Sequence, residues 1–325
     1  MNGGFSMDRH SHDLERDNTE GFSGDGPAIP FVGPEDMLLA QSAQRLALPE
    51  RLFALGELDV LYDCDHRALW TFMRPKGRPS FTPPMLADFE AWQGLIAQAF
   101  GPGRSALDYL ILGSRAPGVF CFGGDLELFA RMIRAGDRDG LVGYGRRCVE
   151  ILDRNIRALD LPMLTVGLVQ GKALGGGFEA LLSFDFIIAE RGSGFGLPEV
   201  MFGLFPGMGA HPLLSRKLGT AMADRIILSG ETYSAEQMYE LGIVHALAEP
   251  GEGVAAVRSF MEKSGPRHSG LVSARKAMRT SAPVPMSEFY AIVEIWADAA
   301  LGLGEKDLKL MLRLVSAQNR LAMTG

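Results

Sequence analysis

One stretch, Pro162 to Gly209 (PMLTVGLVQGKALGGGFEALLSFDFIIAERGSGFGLPEVMFGLFPGMG), narrows the folds open to this chain more than any other. The apolar, β-branched run Leu164 to Val169 is followed by Gly171 and the triplet Gly175, Gly176 and Gly177. Then comes Phe178-Glu179-Ala180-Leu181-Leu182, which has helical propensity. The pattern predicts a strand, a tight loop and a helix start. A helix start leaves backbone N–H groups without intrahelical partners and is partially positive, and glycine lets an oxygen approach those donors closely. A carbonyl held there would have developing negative charge on its oxygen stabilised by the Gly176 N–H, with Glu179 one turn into the helix beside the reacting carbons. Twenty positions further on, past a second β-like run at Phe186 to Ala189, Gly196-Leu197-Pro198-Glu199 supplies another carboxylate. Two loops are expected to bring the two acids together.

A second loop has the same character. Leu107 to Leu112 reads as a short buried strand that leads through Gly113-Ser114 to Val119-Phe120-Cys121-Phe122-Gly123-Gly124-Asp125-Leu126. Glycines between a strand and a helix again expose a backbone donor, and Asp125 suits a helix cap. Upstream, Glu57 to Asp63 and Arg67 to Met73 alternate partly between apolar and polar and predict a strand pair joined around Asp65-His66. Pro83-Pro84 opens a helix through Phe100 whose stripe of Met85, Phe89, Trp92, Ile96 and Phe100 reads as core. Leu126 to Asp160 predicts two helices broken near Gly136, the second turning Cys148, Ile151, Leu152 and Ile156 inward.

Beyond the central stretch, Ala210 to Gly219 and Ala221 to Ser229 read as short helices. Ser234-Ala235-Glu236-Gln237 is a capping box for a helix ending near Gly242, and Ile243 to Ala248 reads as a last strand. Val254 to Arg320 is helical, interrupted at Pro266 and at Pro283-Val284-Pro285. Repeated βα units followed by helices predict an α/β protein; periodicity alone does not name its fold.

With 325 residues, 47% of them hydrophobic, the chain can bury a sizeable core. Residues 1–34 are polar and poor in large apolar side chains, and are expected to be a disordered tail in which His10 and His12 are solvated rather than metal ligands. The net charge is −7 and Lys and Arg form no stripe, which leaves nucleic-acid binding without an electrostatic footprint. Local basic patches for an acidic partner would be Arg146-Arg147, Arg216-Lys217, and Arg267 with Arg275-Lys276; the alternative is solvated helix faces. Cys64, Cys121 and Cys148 form no CxxC and no Cys/His cluster, so neither a disulfide framework nor a metal site is expected, and a reducing cytoplasm fits. No secretory pattern and no apolar stretch of membrane length stands out. The glycines match neither a phosphate-binding nor a dinucleotide-binding fingerprint, there is no G-x-S-x-G, and no cofactor is expected.

VQGKALGGGFE, DFIIAE, FGLPEV and FPGMG resemble the crotonase (enoyl-CoA hydratase/isomerase) superfamily, and Phe122 to Leu126 resembles its other oxyanion loop. GGDLELF, GYGRRCV, LVQGKALGGGFEA, GLPEVMFGLFPGMGA, YSAEQMYELGIV, GVAAV, EIW and LGEKDL closely resemble one branch, the diffusible signal factor synthases, which make cis-2-unsaturated fatty acid signals. The similarity runs from about Leu107 to Arg320. It implies a crotonase spiral of ββα turns over residues 35–250 and a C-terminal helical region, 251–325, that covers the site and builds a homotrimer or hexamer. By position in the motif, the N–H of Phe122 or Gly123 would partner that of Gly176 on a thioester oxygen, with Gly124, Gly175, Gly177, Leu197, Met208 and Trp296 around the substrate. Met286 to Leu303, with Ile292, Ile295, Trp296 and Leu303, would wall the acyl pocket, and His211 would be a substrate contact or structural.

Dehydrating a 3-hydroxyacyl thioester requires loss of a proton from C2, protonation of the hydroxyl leaving from C3, and stabilisation of enolate charge on the carbonyl. Glu179 and Glu199 suit the proton transfers, and a carboxylate can then activate water against the same carbonyl. The expected function is accordingly a signal synthase acting on a medium-chain 3-hydroxyacyl thioester of acyl carrier protein or CoA, with a sensor-kinase receiver domain as a family-level partner. The alternatives are an enoyl-CoA hydratase of fatty-acid degradation and, in another class, a crotonase scaffold that binds a signalling protein.

Overall fold

The computed structural model describes residues 48–324; the expected tail at 1–34, with His10 and His12, and residues 35–47 of the expected core lie outside them. Strands β1 (Leu58–Asp63) and β2 (Ala68–Met73) pair antiparallel with Leu58 opposite Met73. Asp63 closes their turn by accepting the N–H groups of Asp65 and His66 at 3.0 and 3.2 Å. Helix α1 (Pro83–Ala99) begins at Thr82, whose hydroxyl accepts the Met85 N–H, and buries Met85, Phe89, Trp92 and Ile96 as the stripe predicts. After β3 (Tyr109–Ser114) and β4 (Val119–Cys121) come α2 (Leu126–Ala135) and α3 (Arg138–Ile156), capped by Asp125 and Asp137 and separated at Gly136, which sits at φ +65°.

The central stretch folds as β5 (Leu164–Val169), β6 (Lys172–Leu174), α4 (Gly176–Leu181), β7 (Phe186–Glu190) and β8 (Gly194–Gly196). Helices α5 (Ala210–Leu218) and α6 (Thr220–Ser229) follow, then β9 (Thr232–Ser234), α7 (Ala235–Glu240), β10 (Ala246–Ala248), α8 (Gly253–Ser264), α9 (His268–Ser281), α10 (Met286–Leu301) and α11 (Glu305–Thr324). The predicted capping box starts α7, with both of its reciprocal bonds made.

These strands form a six-stranded sheet, β1-β2-β3-β5-β7-β10, and a four-stranded sheet, β4-β6-β8-β9. Each turn of the chain lays one strand in each sheet: β3 then β4, β5 then β6, β7 then β8, every successive neighbour parallel. Alternating side chains of the large sheet face two cores. Leu69, Leu110 and Leu112 face α1 and α3, while Trp70, Ile111, Val166 and Leu168 pack against Val257 and Met261 of α8. At Gly167 a Cβ would lie 2.7 Å from Leu181, so α4 rests directly on β5.

The differences from expectation are local. Strands β4, β6 and β8 have three residues each, too few to display a period, and β6 occupies what reads as loop. The last strand is shorter than Ile243 to Ala248, because the N–H groups of Ile243 and Val244 turn back to the Met238 carbonyl at 2.9 and 3.0 Å and close α7. An additional break at Gly302 separates α10 from α11.

The last two helices are fastened to α2 and α3. Val293 packs into the notch at Gly145, where a Cβ would approach it to 2.7 Å. Arg134, Arg138 and Arg146 pair with Glu305 (3.1 Å), Asp298 (2.7 Å) and Glu294 (2.7 Å) across the outside. Among the described residues no helix is long and apolar enough to cross a membrane.

Candidate active site

The three glycines of the triplet touch three different things, which is why all three lack a side chain. A Cβ on Gly175, whose φ is +53°, would come 2.6 Å from Oε1 of Glu199. On Gly176 it would meet the Met208 sulfur at 2.5 Å, and on Gly177 the Cys121 carbonyl oxygen at 2.3 Å. The Gly175 N–H donates to the Gly196 carbonyl at 2.8 Å, which sets the two acid-bearing loops side by side. Gly123, at φ +86°, presses on the same place from the loop after β4: its Cβ would lie 2.4 Å from the Gly176 nitrogen.

Glu179 enters this space from α4 and is 1% exposed. Its Oε1 accepts the backbone N–H groups of Met208 at 2.8 Å and Ala210 at 2.9 Å, so the FPGMG loop folds around it. Burial pushes Glu179 up to about 7, against the opposing pull of those amides. Glu199 follows Pro198 at the head of a short 3-10 helix, Pro198–Phe202. The residue is half-buried, but its Oε2 is shut off from solvent and makes no hydrogen bond among the described residues. Burial first, and the Glu179 charge second, push Glu199 up to about 8. Two amides from another loop favour charge on Glu179, whereas Glu199 has only its own backbone N–H to lower it. Their surroundings therefore favour the charge on Glu179 and the proton on Glu199.

Both acids line one cavity, together with Phe122, Gly124, Gly175, Gly176 and Met208. Trp296 closes a side of it, its ring against Gly207, where a Cβ would come 2.5 Å from it, and 5.1 Å from the Phe129 ring. Tyr144 also lines the cavity; its hydroxyl donates to the Phe81 carbonyl and accepts the Asp125 N–H at 3.3 Å. Sequence reasoning missed Tyr144; the only signal for it was its place within GYGRRCV.

Several expected site residues stand elsewhere. The Phe122 N–H donates to the Pro79 carbonyl at 2.7 Å and is not available to a substrate oxygen. The Gly123 N–H points at the Cys121 sulfur, 3.3 Å away. Of these consecutive amides it is that of Gly124, on the cavity wall, that has no acceptor among the described residues; the Gly176 N–H has none either. Leu197 is fully buried in the core and Gly177 packs on Cys121, so neither belongs to the cavity wall. Ile295 is 60% exposed, because α10 turns Val293 and Trp296 inward instead. His211 packs edge-on against Phe205, outside the wall. Of the basic patches, Arg146, Arg147, Arg216 and Arg275 are all engaged with carboxylates. No group of His, Cys, Asp and Glu suited to a metal occurs among the described residues.

The sequence profile described as enoyl-CoA hydratase/isomerase matches residues 71–281. Among curated proteins, the chain is 38% identical over 148 residues to the mitochondrial enoyl-CoA hydratase domain-containing protein 2 of Mus musculus, covering 45% of this chain and 48% of that protein. It is 30% identical over 154 residues to the mitochondrial methylglutaconyl-CoA hydratase of Rattus norvegicus, covering 47% of each. The chain thus spans about half the length of these relatives. Among solved structures, DspI of Pseudomonas aeruginosa has the same fold at a TM-score of 0.60 and 22% identity, over 70% of this chain and 88% of that one. An enoyl-CoA hydratase of Geobacillus kaustophilus does so at 0.62 and 21%, over 81% and 94%. With its alternating two-sheet spiral and a profile match over more than half its length, the chain belongs to the enoyl-CoA hydratase/isomerase, or crotonase, superfamily of hydratase- and isomerase-type enzymes.

Proposed function

We propose that this protein is a diffusible signal factor synthase: it dehydrates a medium-chain 3-hydroxyacyl thioester, carried on acyl carrier protein, to the cis-2-enoyl thioester and hydrolyses that product to the free fatty acid signal. The observation that carries the reading is the unlike glutamate pair, Glu179 held by two amides and Glu199 buried without a partner on Oε2, facing the open amides of Gly124 and Gly176. The motif runs from GGDLELF to LGEKDL point to the synthase branch.

The proton inventory closes over both steps. With the thioester oxygen on the Gly124 and Gly176 N–H groups, the Glu179 carboxylate takes the C2 proton and the electron pair becomes the C2–C3 double bond. The C3–O bond breaks, and the proton of Glu199 leaves with the hydroxyl as water. The pair has now exchanged roles. Glu199, a carboxylate, takes a proton from a water attacking the carbonyl, whose oxyanion rests on the same two amides. Glu179 returns its proton to the departing thiol, and both groups are back in their starting states.

A second reading, hydration of a trans-2-enoyl-CoA in fatty-acid degradation, uses the same groups in reverse and is favoured by the hydratase names of the curated relatives. The synthase reading carries with it a cytoplasmic location, a trimeric or hexameric assembly and a sensor-kinase receiver domain as partner. The deciding experiment incubates the protein with a medium-chain 3-hydroxyacyl carrier-protein thioester and follows products by mass spectrometry with a free-thiol assay. Free cis-2-enoic acid with released carrier is the expected result. Reversible exchange of hydroxyacyl and trans-enoyl thioesters alone, faster on CoA, would move the protein to the degradative hydratases. No turnover of either would leave the scaffold role.

A further inference from the structure

Where β7 and β10 begin stands a second group of charged side chains, none of which lines the reaction cavity. Its centre is Asp185, which is 7% exposed and ties the starts of β5 and β7 together: its N–H donates to the Thr165 hydroxyl at 2.9 Å and its Oδ2 accepts the Thr165 N–H at 3.1 Å. Arg279 of α9 donates to both carboxylate oxygens at 2.6 Å. One turn earlier on the same helix, Arg275 comes no nearer to Asp185 than 3.5 Å, through a buried Nε that makes no hydrogen bond among the described residues. Its guanidinium lies on the Phe186 ring, 4.5 Å from the centroid. Lys217, in the last turn of α5, has neither a hydrogen bond nor an ion pair among the described residues.

The group is unbalanced in charge. Lys217, Arg275 and Arg279 bring three cations to one carboxylate, and Arg279 already occupies both of its oxygens. Desolvation first and the Arg275 charge second push Lys217 down to about 8, with Asp185 pulling the other way. The group is unbalanced in donors as well. His245, just ahead of β10, is fixed by Ile187: its backbone N–H donates to the Ile187 carbonyl at 2.8 Å, and its Nδ1 accepts the Ile187 N–H at 3.1 Å. Nδ1 is therefore the bare ring nitrogen, and the hydrogen of the neutral ring sits on Nε2. Desolvation, then the charges of Arg275 and Lys217, push His245 down to about 4, which keeps the ring neutral at pH 7. Nε2 faces Arg275 Nη2 at 3.5 Å, so two donors meet with no acceptor between them.

We infer that this place is an anion site: Lys217, Arg275 and His245 bind a phosphate group, free or as a monoester, while Asp185 and Arg279 hold the arrangement in position. A phosphate dianion matches the two positive charges in excess. Its several oxygens also suit donors that arrive from three elements, α5, α9 and the segment before β10, better than the two oxygens of a carboxylate do. The site is separate from the glutamate pair and does not depend on the proposed reaction.

The test titrates inorganic phosphate into the full chain, with sodium chloride at matched ionic strength as the control. Binding is followed by calorimetry, and the His245 ring by NMR, its signal identified by its loss in His245→Asn. Expected is saturable binding that shifts the His245 signal, is absent with chloride, and is weakened about tenfold in Lys217→Gln and in Arg275→Lys, which keeps the charge but not the planar fork. Lys217 is exposed, so its variant should fold and serves if the Arg275 variant does not. AMP added to the phosphate-bound protein separates the sources: displacement of inorganic phosphate supports a phosphate ester as the ligand, and none supports the free ion. Phosphate held instead by the open amides of the reaction cavity would bind equally well in wild type and both variants. That result, an unshifted His245 signal, or no binding beyond that of chloride overturns the site.

Discussion

The two glutamates carry the same functional group and differ through their neighbours alone. Glu179 has its Oε1 on the amides of Met208 and Ala210, and Glu199 has an Oε2 with no partner and a negative neighbour. In the proposed mechanism the base is therefore the acid with donors and the proton donor is the acid without them. Activity should follow a bell in pH, rising as the pair loses its first proton near 7 and falling as it loses its second near 8, with the two apparent values belonging to the pair. Glu179→Gln and Glu199→Gln should each lower kcat/KM about 10²- to 10⁴-fold with the fold retained by circular dichroism. Any activity left in Glu199→Gln should lack the alkaline limb, because the group that titrates there is gone. Full activity in either variant would sink the mechanism. Gly175→Ala belongs to the same scale: at φ +53°, with Glu199 Oε1 at 2.6 Å from the new Cβ, it should displace that carboxylate and cost about as much as Glu199→Gln.

At the scale of elements, the proposed oxyanion loop depends on a residue from a helix well removed from it in sequence. Tyr144 of α3 ties the Phe81 carbonyl to the Asp125 amide, and Phe81 in turn donates its N–H to the Gly123 carbonyl at 2.8 Å, so one hydroxyl fixes both flanks of Gly124. Tyr144→Phe should lower kcat about tenfold with KM and the pH profile little changed, as a loosened oxyanion donor weakens charge stabilisation more than ground-state binding. A change confined to KM would mean that Tyr144 only shapes the pocket. This linkage also marks the limit of sequence reading. Glu179 was legible because a glycine triplet before a helical run is a local pattern, and Glu199 because FGLPEV follows a second β-like run. Which amide of Phe122-Gly123-Gly124 stays open was not, because the answer lies in the Pro79 carbonyl, which only the tertiary fold brings to Phe122. Leu197, next to the acid, was misread for a similar reason: a side chain's neighbours depend on the sheet behind it, where Leu197 is fully buried. Helix α10 carries apolar residues on more than one face, so periodicity could not tell Trp296, turned in, from Ile295, turned out.

For the whole molecule, the long strands and helices followed from their periods, while the spiral itself rests on β4, β6 and β8, which are too short to show one. That spiral stacks successive loops at the ends of parallel strands, and it is what buries two carboxyls in one place. The arrangement has a consequence for stability. Both glutamates are raised above their ordinary value of 4.5 in the folded state, to about 7 and about 8, so between these limits the folded protein binds more protons than the unfolded chain. The stability this confers is complete below the unfolded value and is lost as pH rises through the folded ones. Thermal unfolding should therefore show a melting temperature that falls from pH 5 to pH 8 by more than in Glu199→Gln, whose amide stays neutral throughout. The two melting curves should draw together at pH 5 and separate at pH 8, with the variant the more stable. Parallel pH profiles for wild type and variant would show that the pair is not held at raised values, and would remove the basis for a proton on Glu199 at neutral pH.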